Sequence, residues 1–153
     1  MPIRANGENA RGSGKLRIVP ANALRQALLM TWYTIRLDLA RSAEHPDGSA
    51  SRCYLLRAPL TDQQMVDARA LHAHPDRATV LRSVPDAPEQ RGYLIGQNGK
   101  WRFSYAAGEE DDEPIFHLET HSMALGAYLT IQEQGGQEQC FKVVQCDAIA
   151  EPT

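Results

Sequence analysis

Cysteine is scarce in this chain of 153 residues: there are three, Cys53, Cys140 and Cys146. An odd number at spacings that match no zinc or disulfide framework argues against a stapled secreted fold and for small reduced thiols. Cys140 and Cys146 fall in one expected strand at an even spacing, so their side chains are expected on one face, too far apart to bridge. Long apolar runs are missing as well. The best candidate, Ala27 to Ile35, is broken by threonines, flanked by arginines and well short of the ~20 residues a spanning helix needs. Where a secretory signal would carry its apolar stretch, Met1 to Lys15 is polar and glycine-rich. The expectation is a cytoplasmic chain without membrane contact.

Catalytic signatures are equally thin. No G-x-S-x-G elbow and no H-E-x-x-H pair occurs. Gly12-Ser13-Gly14-Lys15 looks like part of a phosphate loop, but it precedes the first expected strand instead of following one, and its other spacing is wrong. Lysine is rare too: Lys15, Lys100 and Lys142 stand against 13 arginines. Strands with so few lysines have little protection at an open edge, which favours a closed sheet.

What is present is the composition of one globular domain. A mass of 17.0 kDa with 42% hydrophobic and 23% charged residues fits a single core rather than a disordered or membrane chain. The net charge of −3 conceals a split. Residues 1–102 hold 15 basic against nine acidic residues, a balance of +6, whereas residues 103–153 hold ten acids against Lys142 alone, a balance of −9. Because the basic residues are spread singly, mutual neutralisation within the fold or across a dimer explains this split better than a nucleic-acid surface.

The glycine-rich residues 1–14 have little to bury and are read as a tail, residues 15–149 as one domain, and residues 150–153 as a short C-terminal tail. Leu16 to Val19 reads as a short strand and Asn22 to Met30 as a helix behind Pro20. Tyr33, Ile35, Leu37 and Leu39 alternate with polar or small residues, a half-buried strand, and Ser51 to Ala58 resumes after a loop containing Pro46-Asp47-Gly48. Thr61 with Gln64 makes a capping box, so a helix is expected from there to Pro75. Its last turn carries His72 and His74, whose pairing with the helix dipole is favoured over metal ligation. Ala78 to Val84 is a further strand.

The second half is more regular. Asn98-Gly99 between Gly92–Gln97 and Lys100–Ala106 predicts a two-residue type I′ hairpin, with Leu94 opposite Phe103 and the rings of Trp101, Phe103 and Tyr105 on one face. Ile115 to Thr120 and Ala127 to Gln132 are expected strands. For the last hairpin a three-residue loop, Gln134 to Gly136, sets Leu129 opposite Phe141 and keeps apolar with apolar, whereas a two-residue turn would oppose Leu129 to Lys142. The sum is a mainly β, β-rich α+β domain: a small antiparallel barrel or sandwich of about 7–9 strands with one or two short helices.

One segment resembles a metal set in composition. On a strand through Ile115–Thr120, Phe116, Leu118 and Thr120 would face one way and His117, Glu119 and His121 the other, two imidazoles and a carboxylate together. Asp111 and Asp112 next door would be supporting or additional oxygen ligands for a divalent metal. Against this, residues two apart on a flat strand sit ~6.5–7 Å apart and rarely converge on one ion. No cofactor is otherwise indicated. The favoured expectation is therefore a non-enzymatic module that binds a protein partner, a second copy of itself or a small apolar ligand. A metal-dependent hydrolase or oxygenase built on the His117, Glu119 and His121 face, and a nucleic-acid-binding barrel, are the alternatives.

Overall fold

The computed structural model describes residues 32–105 and 111–150. The expected tail 1–14, the strand at Leu16–Val19, the helix at Asn22–Met30, the acids Glu109 and Glu110, and residues 151–153 lie outside them. Among the described residues eight strands follow one another: β1 Trp32–Leu39, β2 Ser49–Pro59, β3 Thr79–Ser83, β4 Gln90–Gln97, β5 Lys100–Ser104, β6 Glu113–Phe116, β7 Tyr128–Gln132 and β8 Glu138–Ala148. Each pairs antiparallel with the next, and β8 returns to pair with β1, so the sheet closes into a barrel. Closure leaves no free edge, the liability that the scarcity of lysine had pointed to.

Both hairpin registers follow from keeping apolar side chains together. Leu94 lies opposite Phe103, and the turn between them has φ of 56° at Asn98 and 75° at Gly99. Two successive positive φ values define the type I′ turn that an Asn-Gly pair accommodates. In the last hairpin Leu129 pairs with Phe141, and Gly136 takes the left-handed position at φ 87°.

Eight strands leave an interior just wide enough for side chains to fill. Ile35, Leu37, Tyr54, Phe103, Ile131 and Phe141 are among the fully buried residues that fill it. The Tyr54 ring sits at the centre, 5.0 Å from the centroids of both Phe103 and Phe141. Edge-on and tilted ring pairs of this kind add to what burial alone contributes.

One end of the barrel is closed by the chain between β2 and β3 and by the chain between β6 and β7. Leu60 bridges to Val66 and Met65 to Ser122, and Leu60, Leu71, Leu118 and Met123 are buried over the core. These bridges correct the expected helix. It is a single short α1, Ala68–Ala73, capped by Asp67, whose side chain accepts from the Ala70 N–H at 3.1 Å, and not by Thr61. Met65 and Val66 are held in extended bridges, and Gln64 has a φ of 62°, so the first helical turn cannot form there. Pro75 ends the helix as expected and begins a 3-10 turn, Pro75–Arg77.

Two further expectations are corrected. β6 stops at Phe116, because His117 takes a left-handed φ of 57° and a 3-10 turn runs through Leu118–Thr120. Cys140 and Cys146 do not share a face. The register between β1 and β8 slips at Val144, where Arg36 pairs with Gln145 but Leu37 with Val143. That extra residue leaves Cys140 exposed while Cys146 packs against the core.

Candidate functional site

The interior is not wholly apolar. At the end of the barrel opposite α1, Glu113 is fully buried on β6 and both of its oxygens are filled. Oε1 accepts from the hydroxyls of Tyr54 at 3.0 Å and Tyr105 at 2.6 Å. Oε2 accepts from Arg82 Nε and from the Gln134 backbone N–H, each at 3.1 Å. Arg82 also donates to Gln90 Oε1 at 3.0 Å, which in turn accepts from the Gln134 amide at 2.8 Å. Thus β2, β3, the residue after β5 and the β7–β8 turn all meet on the β6 carboxylate, and β4 joins them through Gln90.

Burial pushes Glu113 above the ordinary carboxylate range, against the opposing pull of the Tyr105 hydrogen bond, the Arg82 charge and the Tyr54 hydrogen bond. The same burial, followed by the charge of Glu113, drives both tyrosines far above their ordinary range. A buried carboxylate with four donors has no lone pair free for a substrate. Its chemistry is that of a fastener which ties the strands at this end into one unit. The signal for it was present in the period of two. Two residues back from Ile115 and Leu56 and two residues on from Phe103 and Val80 bring Glu113, Tyr54, Tyr105 and Arg82 all to the inner face. Glu113 goes unnoticed when Phe116, and not Ile115, is set on the apolar side of β6.

The residues read as a metal set are placed differently from each other. His117 is exposed at the left-handed end of β6, the backbone of Glu119 lies within the 3-10 turn, and His121 follows that turn in an extended conformation. The shared strand face that was to align all three is absent. Asp112 is bound to Arg102 at 2.7 Å, and Asp111 sits half-buried in the adjoining turn. Among the described residues no group of three or more His, Cys, Asp or Glu side chains is arranged to hold a metal ion. His72 turns its Nε2 to the Gly96 carbonyl at 3.2 Å, a contact between α1 and β4.

The outer surface is where apolar side chains remain unsatisfied. Leu55 is 40% and Tyr93 48% exposed on the outer face of β2, β3 and β4; Leu125, Tyr128 and Val144 stand out on the β7–β8 side. The register of the first face is explicit. Leu55 pairs with Leu81, and Leu81 with Arg91, to give one outward row across three strands. The Leu56–Val80 and Thr79–Tyr93 pairs set the neighbouring outward row as Arg57, Thr79 and Tyr93. These six side chains line a cleft of about 490 Å³ whose floor includes Val80 and Gly92. Glycine is required at position 92, because a Cβ there would lie 2.2 Å from the Ser104 carbonyl oxygen.

No helix among the described residues is long and apolar enough to cross a membrane. No protein-family model matches the chain, and neither the curated proteins nor the solved structures give a match.

Proposed function

We propose that the protein is a non-enzymatic binding module that engages a protein partner on the outside of its barrel. One observation carries this reading. The interior, where a barrel of this size would take a small apolar ligand, is occupied by the chain's own side chains, from Tyr54 and Phe103 to Phe141. Meanwhile Leu55, Leu81 and Tyr93 form an apolar strip on the outer face of β2–β4. Exposed apolar side chains grouped in a cleft with polar residues around them are the usual mark of a contact surface. The same reading places the module in the reducing cytoplasm, a setting supported by the free thiols of Cys53, Cys140 and Cys146.

The test compares wild type with the double variant Leu55→Ser/Tyr93→Ser. Both positions are exposed, so the barrel is expected to keep its thermal midpoint. Each protein is immobilised, and co-purifying proteins are quantified by mass spectrometry. The proposal expects a stoichiometric partner held by wild type and lost by the variant. Equal retention by the two, or capture that depends only on the β7–β8 side, would count against this face.

A further inference from the structure

We propose that the β2–β4 face binds an extended acidic segment of its partner, with two carboxylates flanking an aliphatic side chain. The inference rests on the binding-module reading above and specifies the ligand. Its basis is the arrangement of six outward side chains. In the two rows, Leu55–Leu81–Arg91 and Arg57–Thr79–Tyr93, the arginines occupy one pair of diagonal corners, and Leu55 and Tyr93 the other. Leu81 and Thr79 lie between them. Arg57 and Arg91 are both exposed, and neither has an ion pair among the described residues, whereas Arg36, Arg82 and Arg102 are each matched to an acid.

Strand spacing and rise set the distance that a ligand must span. Two strands across at ~4.8 Å and two residues along at ~3.3 Å put the arginine Cα atoms ~12 Å apart. In an extended peptide, residues i and i+4 are ~13 Å apart, and i, i+2 and i+4 all point to one side. A sequence acid–x–aliphatic–x–acid therefore presents a carboxylate to each arginine and its central side chain to Leu81, with Leu55 and Tyr93 flanking. A nucleic acid suits the face less well. The cleft offers one ring for stacking, its centre is aliphatic, and the chain as a whole is negative. Because the barrel is closed, strand addition is also closed off, and recognition must run through side chains.

The experiment is an NMR titration of ¹⁵N-labelled full-length protein with the peptide Ac-Gly-Glu-Ser-Leu-Ser-Glu-Gly-NH₂. Saturable shifts are expected at Leu55–Arg57, Thr79–Leu81 and Arg91–Tyr93. The apparent affinity should fall about tenfold in Arg57→Glu/Arg91→Glu and decline as salt is raised. Arg57→Gln/Arg91→Gln should give an intermediate loss, and well-dispersed spectra of both variants establish that they are folded. A peptide with lysine for both glutamates should not bind. One with the acids moved next to the leucine, which turns them to the opposite side, should bind more weakly. Absence of shifts at millimolar peptide, equal binding by the lysine peptide, or tighter binding of a short oligothymidylate through the same arginines would overturn the proposal. If the peptide fails while Leu55→Ser/Tyr93→Ser still loses its partner, the acidic-ligand proposal falls and the binding-module reading stands.

Discussion

Replacing Glu113 by leucine removes the one group to which Tyr54, Arg82, Tyr105 and the Gln134 N–H all donate. The Arg82 guanidinium, 12% exposed, loses its nearer charge partner and keeps only Glu133 at 4.0 Å, and the hydroxyls of Tyr54 and Tyr105 and the Gln134 N–H lose their acceptor. Breaking a buried ion pair from one side costs ~3–5 kcal/mol, chiefly because the remaining charge stays desolvated. At ~2–4 °C per kcal/mol for a chain of this size, the melting midpoint should fall by about 10 °C. The double variant Arg82→Met/Glu113→Leu removes both charges of the close pair, leaving neutral donors short of a partner and Glu133 without its 4.0 Å contact to Arg82. Its cost should be about 1–3 kcal/mol, below that of Glu113→Leu alone. Urea denaturation of wild type, both single variants and the double variant closes the thermodynamic cycle. If Glu113→Leu costs less than about 1 kcal/mol, or the double variant shows the sum of the two single losses, the carboxylate is not the fastener described.

Three other consequences are open to measurement. Because burial holds the folded pKa of Glu113 above its ordinary value of 4.5, its protonation stabilises the fold fully below that value, and the benefit is lost as pH rises through the folded pKa. Relative to Glu113→Gln, wild type should therefore gain stability as pH is lowered from neutral towards 4.5, and a relative loss would show a carboxylate held below the ordinary range. Gly92→Ala drives a methyl group onto the backbone of β5, 2.2 Å from the Ser104 oxygen, and should cost about 1–3 kcal/mol in thermal or urea unfolding; a neutral result would mean the two strands are not so close. Phe103→Ala empties the centre of the core beside Tyr54 and should cost ~3–5 kcal/mol, a loss that a surface position would not show.

The strands were legible wherever a period of two ran uninterrupted. β1, β4, β5, β7 and β8 as far as Val143 follow the alternation of their side chains, and both hairpin registers follow from opposing Leu94 to Phe103 and Leu129 to Phe141. What escaped were the places where tertiary contacts override local signals. The Thr61 capping box is a sound helix start on its own, yet Met65 and Val66 are drawn into bridges with Ser122 and Leu60, residues that local pattern cannot bring near. A single bulged residue at Val144 turned Cys146 inward. At β6 two alternations competed, and a four-residue strand is too short for period alone to choose between Ile115 and Phe116 as the inward residue. That choice decided whether Glu113 belonged to a solvated acidic run or to the core, and whether His117, Glu119 and His121 shared a face. The β2–β4 cleft was out of reach for another reason. Leu55, Leu81 and Tyr93 are far apart along the chain, and only the order of strands places them side by side.

The claim on which the functional reading stands is that the barrel is solid, so that recognition happens on its outer face. Titration with a fluorescent long-chain fatty acid tests this directly, with energy transfer from Trp32 and Trp101, both buried in the core. A filled interior predicts no saturable binding and no transfer at any probe concentration below its own aggregation. Saturable, stoichiometric binding with strong transfer from the two tryptophans, abolished by enlarging Leu94 to phenylalanine, would place the ligand inside and contradict it.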